Sequence, residues 1–386
     1  MKNIHRSFLL LALLGLASTA TFAAEKDPSP PPAKDSPPKD GHRTQIAILL
    51  DTSNSMDGLI EQVKTQLWSV VNTFVAAKCK GETPYVEVAL YEYGNNGLRA
   101  ESNWIRLVRP FTRDLDQVSA DLFKLTTNGG EEYCGAVIER AIADLDWDKS
   151  KDVYKAIFIA GNEPFTQGPI DPNNACRAAA ALGVIVNTVH CGPAQEGING
   201  GWRLGSALGG GRYLVINQDK LVRAVHTPQD DEILRLNGEL NRTYVGYGAL
   251  APAAAGNQAA QDDNAKKKAY SDAAVQRAVT KASPSYCNRQ WDLVDACKQK
   301  DFDVTKVEES SLPAELRDRK AEEKRAWIAG KEAERTALQK RILELNAERS
   351  SFLAKAAKDK AKDTLDQVVT DAVKEEAAKK GYVFGK

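Results

Sequence analysis

The chain has 386 residues, and 52 lysines and arginines balance 52 aspartates and glutamates, for a formal net charge of +0. That length accommodates more than one domain. With no net positive charge, there is no bulk electrostatic case for a nucleic-acid partner.

At the N-terminus, Lys2 and Arg6 precede a short apolar core from Phe8 to Leu16, and Thr21 and Ala23 are small residues at cleavage positions. This is the pattern of a secretory signal over residues 1–23. The apolar run is too short to span a bilayer comfortably, and no cysteine sits at the cut to carry a lipid anchor. A periplasmic or secreted protein is expected, with no stable membrane span after cleavage. Residues 24–43 form a Pro-rich linker. Its stretch DPSPPPAKDSPPKDG, Asp27 to Gly41, favours extended polyproline geometry and reads as a spacer.

Residues 44–227 alternate between strand and helix signals. Ile46 to Leu50 is a continuous apolar run, as in a strand buried on both faces. Ile60, Val63, Leu67, Val70, Val71 and Phe74 then recur at helical spacing. YVEVALYEYG and NWIRLV read as strands, and Val118, Leu122 and Leu125 mark a helix. Val137, Ile138, Ala141, Ile142 and Leu145 mark another helix before the strand KAIFIAG. A helix around ACRAAAALG ends at Gly183, and VIVNTV and RYLVI are further strands. Such alternation predicts a doubly wound α/β domain with a mostly parallel, Rossmann-like sheet.

Strand signals stop after Val225. Residues 228–300 read as a helical and loop extension. PQDDEILRLNGELNRTY is helical, YVGYGALAPAAAGN is a Gly/Ala/Pro loop, Asp262 to Lys281 is helical, and QWDLVDACK is a short helical piece. Residues 301–386 form a long charged helical region. Leu338, Ile342, Leu345 and Phe352 lie on a heptad-like stripe that Arg349 interrupts. The stripe fits a coiled coil used for self-association or docking, or a solvated helix that packs one face on its own domain.

The first strand ends in Asp51, with Ser53 and Ser55 following at alternate positions. In a doubly wound sheet this is the ligand-binding edge. One carboxylate and two hydroxyls, with water, suit a hard divalent cation such as Mg²⁺, Mn²⁺ or Ca²⁺. Asp, Ser and Asn are also ordinary helix caps, and a helix starting after Ser55 would offer backbone N–H groups to an anion.

These residues, after a buried strand and before an amphipathic helix, resemble the metal-ion-dependent adhesion site of the von Willebrand factor A family. The resemblance covers roughly Thr44 to Val225 and is strongest to secreted bacterial members. It implies a protein-binding module, not an enzyme, whose bound Mg²⁺ is completed by an acidic side chain of the partner. Two positions depart from the family pattern. Where a threonine commonly follows a Gly-Gly pair, TTNGGEEYCGAVIERAI carries Glu131, with Glu132 beside it. Where an aspartate follows the fourth strand, IFIAGNEPF carries Asn162, with Glu163 beside it. The expected metal residues are therefore Asp51, Ser53, Ser55, Glu131 and Asn162. The alternatives are a remodelled site in which these side chains hydrogen-bond one another, or a structural scaffold with a vestigial metal site.

Six cysteines in an exported chain point to disulfides, with Cys176–Cys191 and Cys287–Cys297 as the expected pairs. A zinc- or thiol-dependent activity would have to come from Cys134, Cys176 and Cys191 with His190. No Cys-x-x-Cys pair supports it, and His190 and Cys191 point to opposite faces of a strand. LGGGRYL lacks the lysine of a phosphate loop and reads as a turn into the last strand.

Overall fold

The computed structural model describes residues 42–74, 77–216, 225–267, 273–358 and 373–384. The signal segment and nearly all of the Pro-rich linker lie outside these residues. The first half of the chain runs β1 (Arg43–Asp51), α1 (Ile60–Thr73), β2 (Ala77–Cys79), β3 (Tyr85–Tyr93), β4 (Ile105–Thr112), α2 (Leu115–Lys124), α3 (Cys134–Asp144), β5 (Tyr154–Gly161), α4 (Pro172–Ala181), β6 (Ile185–Cys191), α5 (Ala194–Asn199), α6 (Trp202–Leu208) and β7 (Gly210–Ile216).

The described residues form a six-stranded sheet in the order β4-β3-β1-β5-β6-β7. All neighbours are parallel except β4, which pairs antiparallel with β3 at one edge. Counted within the sheet, the order is third-second-first-fourth-fifth-sixth, and the chain reverses direction of growth between β1 and β5. Ligands bind outside the carboxyl ends of the strands at such a reversal.

The apolar runs make strands because both faces are covered. Ile46, Ile48 and Leu50 point into one core with Val63, Val70 and Val71 of α1, Phe74 just after it, and Val118 and Leu122 of α2. Ala47 and Leu49 point into the other, with Val137, Ile138 and Ala141 of α3, Ala175 and Ala179 of α4, and Trp202. Each fully buried aliphatic side chain contributes about 1.5–3 kcal/mol, enough to hold one register across the sheet. This is the doubly wound, mostly parallel α/β architecture expected from the sequence.

The alternation also corrects the expected disulfides, since all six cysteines are free thiols. Cys176 belongs to one core and Cys191 to the other, so the sheet separates them. Cys297 packs beside Val245 and Leu293, and the charged groups around Cys287 are Asp295, Arg289 and Arg113. Cys79 lies on β2.

A helical region follows: α7 (Asp230–Asn241), α8 (Ala251–Lys267), α9 (Ala273–Lys281), α10 (Leu293–Ala296) and α11 (Ala321–Lys358). The Gly/Ala/Pro stretch expected as a loop is irregular up to Leu250, but its second half opens α8, with Pro252 in the first turn, where a missing N–H costs nothing. Within the charged helical region expected over residues 301–386, the long helix starts at Ala321. Ile342 and Leu345 are buried against Ile233, Leu236 and Leu240 of α7 and Val275, Ala278 and Val279 of α9. Arg349, read as breaking the stripe, is itself buried, and its Nε lies 2.8 Å from Asp230 Oδ1. Ile342 and Leu345 are thus packed inside the chain, as in the self-packing alternative, while Phe352 stays exposed. No helix of the described residues is long and apolar enough to cross a membrane.

The chain then returns to the sheet. β8 (Tyr382–Phe384) pairs antiparallel with β2, and Val373, Ala377 and Tyr382 join the α1 side of the core. Tyr382 donates to the carbonyl of Arg43 at 3.0 Å, beside the start of β1. The C-terminal segment thus occupies the amino end of the strands and leaves their carboxyl end to the loops.

Candidate metal centre

Asp51 ends β1 opposite Tyr93 of β3, and its carboxylate is fully buried. Oδ1 accepts the N–H of Ser53 at 2.8 Å, a local turn that ends the strand. A 3-10 turn from Asn54 to Met56 follows, anchored by the buried side chain of Met56. α1 starts only at Ile60, so the helix expected directly after Ser55 does not present its N-terminus there.

The turn lines up oxygen atoms. Ser53 Oγ lies 2.8 Å from Ser55 Oγ, and the Ser55 hydroxyl donates to Asn162 Oδ1 at 2.9 Å. Asn162 Nδ2 returns a bond to the Ser55 carbonyl at 3.3 Å. These contacts join the exits of β1 and β5, where the sheet order reverses. Asp51, Ser53, Ser55 and Asn162 are therefore brought together.

Glu131 is not brought in with them. It is exposed, whereas its neighbour Glu132 is buried. The loop before α3 decides which glutamate turns inward. Lys64 Nζ donates to the Leu125 carbonyl at 2.9 Å, Asn128 N–H to the Thr52 carbonyl at 2.9 Å, and Glu132 N–H to Gln167 Oε1 at 3.2 Å. The Glu132 side chain comes in beside Asp51, since a Cβ on Gly94 would touch both.

Two glycines make the floor. A Cβ on Gly94, whose φ is +78°, would lie 2.8 Å from Asp51 Oδ1 and 3.0 Å from Glu132 Cγ. A Cβ on Gly161 would lie 2.6 Å from the Tyr93 hydroxyl and 3.1 Å from Asp51 Oδ2. Either side chain would fill the space in which the carboxylates meet.

The electrostatics are one-sided. Burial pushes the Asp51 carboxyl up to about 7, and the charges of Glu132 and Glu163 add to that rise against the Ser53 hydrogen bonds. Glu132 is likewise pushed up to about 7, by burial first and then by Glu163 and Glu131. Asp51 Oδ2 is buried and has no hydrogen-bond donor among the described residues. The hydroxyls and amide do bond to one another, but that network leaves this oxygen unsatisfied. Two carboxylates, two hydroxyls and an amide oxygen are the donors that a hard divalent ion takes, and such an ion would satisfy Oδ2. The residues present fit the metal.

The sulfur alternative lacks reactive groups. Burial pushes the thiols of Cys134 and Cys191 far up and that of Cys176 up to about 12, so thiolate is scarce at neutral pH. His190 is buried beside Trp202, and burial lowers its pKa. Among the described residues no three His, Cys, Asp or Glu side chains form a metal-holding group. Any centre at Asp51 and Glu132 must therefore draw on the neutral oxygens around them.

No protein-family model and no curated protein matches the chain. Among solved structures it is similar to the conserved hypothetical protein BatB from Bacteroides thetaiotaomicron, at 18% identity over 45% of this chain and 90% of that one, with a TM-score of 0.35. It is similar to the SpRpn10 VWA domain at 16% identity over 45% of this chain and 88% of that one, TM-score 0.36. It is also similar to proximal thread matrix protein 1 from the mussel byssus, solved with a zinc-occupied MIDAS motif. There the identity is 14% over 47% of this chain and 43% of that one, TM-score 0.33. At these scores the fold assignment rests on strand order and register.

Proposed function

We propose that the chain is an exported, non-catalytic binding module that captures a protein partner through a divalent cation held at the carboxyl edge of its sheet. Asp51 and Glu132 supply charge, and Ser53, Ser55 and Asn162 supply neutral oxygens. Mg²⁺, Mn²⁺ or Ca²⁺ meets the oxygen-only donor set. The observation that carries this reading is Asp51 Oδ2, a buried carboxylate oxygen without a donor, facing a second buried acid. The resemblance to the von Willebrand factor A family supports the same class of function. The helical region acts as a buttress and not as a free arm, because Ile342 and Leu345 of its apolar stripe already pack on α7 and α9.

Thermal melts with saturating Mn²⁺ or Mg²⁺, and with chelator, test the metal. A ligand at about one hundred times its Kd adds roughly 2.7 kcal/mol when it binds only the folded state. Superimposable melts with and without metal would remove the reading. Capture of a partner from periplasmic extract that persists in chelator would separate binding from the metal.

A further inference from the structure

We propose that Glu132 supplies, from within the chain, the negative charge that a partner's carboxylate would otherwise bring, so that the centre takes its partner through a neutral amide carbonyl. This rests on the metal-binding reading above.

The argument is one of charge and place. A Cβ on Gly94 would lie 2.8 Å from Asp51 Oδ1 and 3.0 Å from Glu132 Cγ, so both acidic side chains come to one location. Together they balance a divalent cation. Glu163, half-buried beside Asn162, already adds negative potential to both. A fourth carboxylate arriving from a partner would enter a site that is net negative with the metal in place, and like charges disfavour that in a partly buried site. A neutral oxygen carries no such penalty, and hard cations accept carbonyl oxygens readily.

The entrance matches an amide. Ser55 and Asn54 are exposed beside the turn, and Asn128 and Asn96 are exposed around Gly129. A Cβ on Gly129 would lie 3.4 Å from Asn96 Nδ2 and 3.5 Å from Asn54 Nδ2, so these amides border one opening. Their donors and acceptors pair with peptide or Asn/Gln groups on a partner loop. The charges that act most strongly on Asp51 and Glu132 are those of other carboxylates, which disfavour an incoming acid.

The test is calorimetric titration of full-length protein with Mn²⁺, with and without acetate as the carboxylate probe. Chloride holds ionic strength constant, and a blank titration corrects for acetate's own binding to Mn²⁺. Wild type is expected to bind Mn²⁺ with an affinity that acetate changes by less than about twofold. Glu132→Thr, which removes the internal carboxylate, is expected to bind Mn²⁺ more weakly and to recover about tenfold in acetate, near 1.4 kcal/mol. Glu132→Gln provides a second variant of matched shape should the threonine variant fold poorly. An acetate-dependent gain of severalfold in wild type overturns the proposal and leaves the metal reading standing. Folded wild type that takes up no Mn²⁺ overturns both.

Discussion

Two groups of buried acids in this chain have opposite surroundings. Where the helical region meets α2, Arg277 reaches Asp116 of α2 at 2.8 Å and Asp262 at 2.5 Å, and Lys281 reaches Asp262 at 2.8 Å. Burial by itself would raise Asp262, but the charges of Lys281 and Arg277 outweigh it and draw the carboxyl down to about 2. Arg335 meets Asp292 at 2.7 Å and Asp295 at 3.1 Å, with Tyr244 under its guanidinium at 4.1 Å, and there burial still raises Asp292 against the pull of Arg335. At the sheet edge, Asp51 and Glu132 are as buried and are both pushed up to about 7. Acids that only hold elements together come with fixed cations, because an unpaired buried charge is costly. An acid pair without one needs its counter-charge from solution, which is what a binding site provides.

The largest expected effect breaks the first group. Arg277→Ala leaves Asp116 and Asp262 buried with Lys281 alone, and removing one partner of a buried pair costs about 3–5 kcal/mol. Denaturant unfolding measures it, and a loss below about 1 kcal/mol would show that water, not Arg277, compensates these acids. The matching change in the second group behaves differently. Asp51→Asn removes a charge that lacks a cation, so metal-free stability is expected to hold or rise. The metal-induced gain, about 2.7 kcal/mol at a hundredfold excess over Kd, is expected to vanish. Melts of both proteins with Mn²⁺ and with chelator give the four values needed. A metal response that survives in Asp51→Asn would move the centre elsewhere.

Acid sharpens the comparison further. The folded carboxyl of Asp262 sits below its usual value near 3.8, so the unfolded chain binds the proton more readily. Its contribution is complete above about pH 4 and is lost as pH falls through 2, an effect of about 2 kcal/mol. Asp262→Asn is expected to lower stability at neutral pH and to flatten the part of the acid limb between pH 4 and 2. Parallel acid limbs in the two proteins would mean that Asp262 is not held by Lys281 and Arg277.

The parts of this molecule that were legible beforehand are those where one residue type repeats under one physical demand. Ile46 to Leu50 and KAIFIAG read as doubly covered strands, and they are neighbours at the reversal of the sheet. Asp51, Ser53 and Ser55 were visible because polar oxygens at the end of such a strand have no packing reason to be there. Other features depend on distant partners. Arg349 reads as a surface charge on a helix until Asp230 is set opposite it, and nothing local announces that Tyr382 returns to Arg43. Cys176 and Cys191 are close along the fold but lie on opposite faces of the sheet, a matter of strand parity that position along the fold does not reveal.

The choice between Glu131 and Glu132 belongs to the same class and gives the smallest expected effect. Both follow Gly130, and no periodicity in the loop says which one turns inward. Here the path is set by contact, since a Cβ on Gly130 would sit 2.1 Å from the Gly94 carbonyl, so the loop backbone lies directly on the floor of the site. Glu132 is then carried into the pocket and Glu131 out to solvent. Glu131→Gln is expected to leave stability within about 0.5 kcal/mol, as surface changes do, and to alter Mn²⁺ affinity by less than twofold. Its remaining influence is the charge that it adds to the surroundings of Glu132, which exposure and salt weaken. Glu132→Gln keeps shape and hydrogen-bonding capacity but removes a charged ligand, so affinity is expected to fall at least about tenfold, or 1.4 kcal/mol. Paired titrations at one ionic strength read the difference. Equal losses in the two variants would mean that both glutamates act only as distant charges, and the centre would then be Asp51 with neutral oxygens alone.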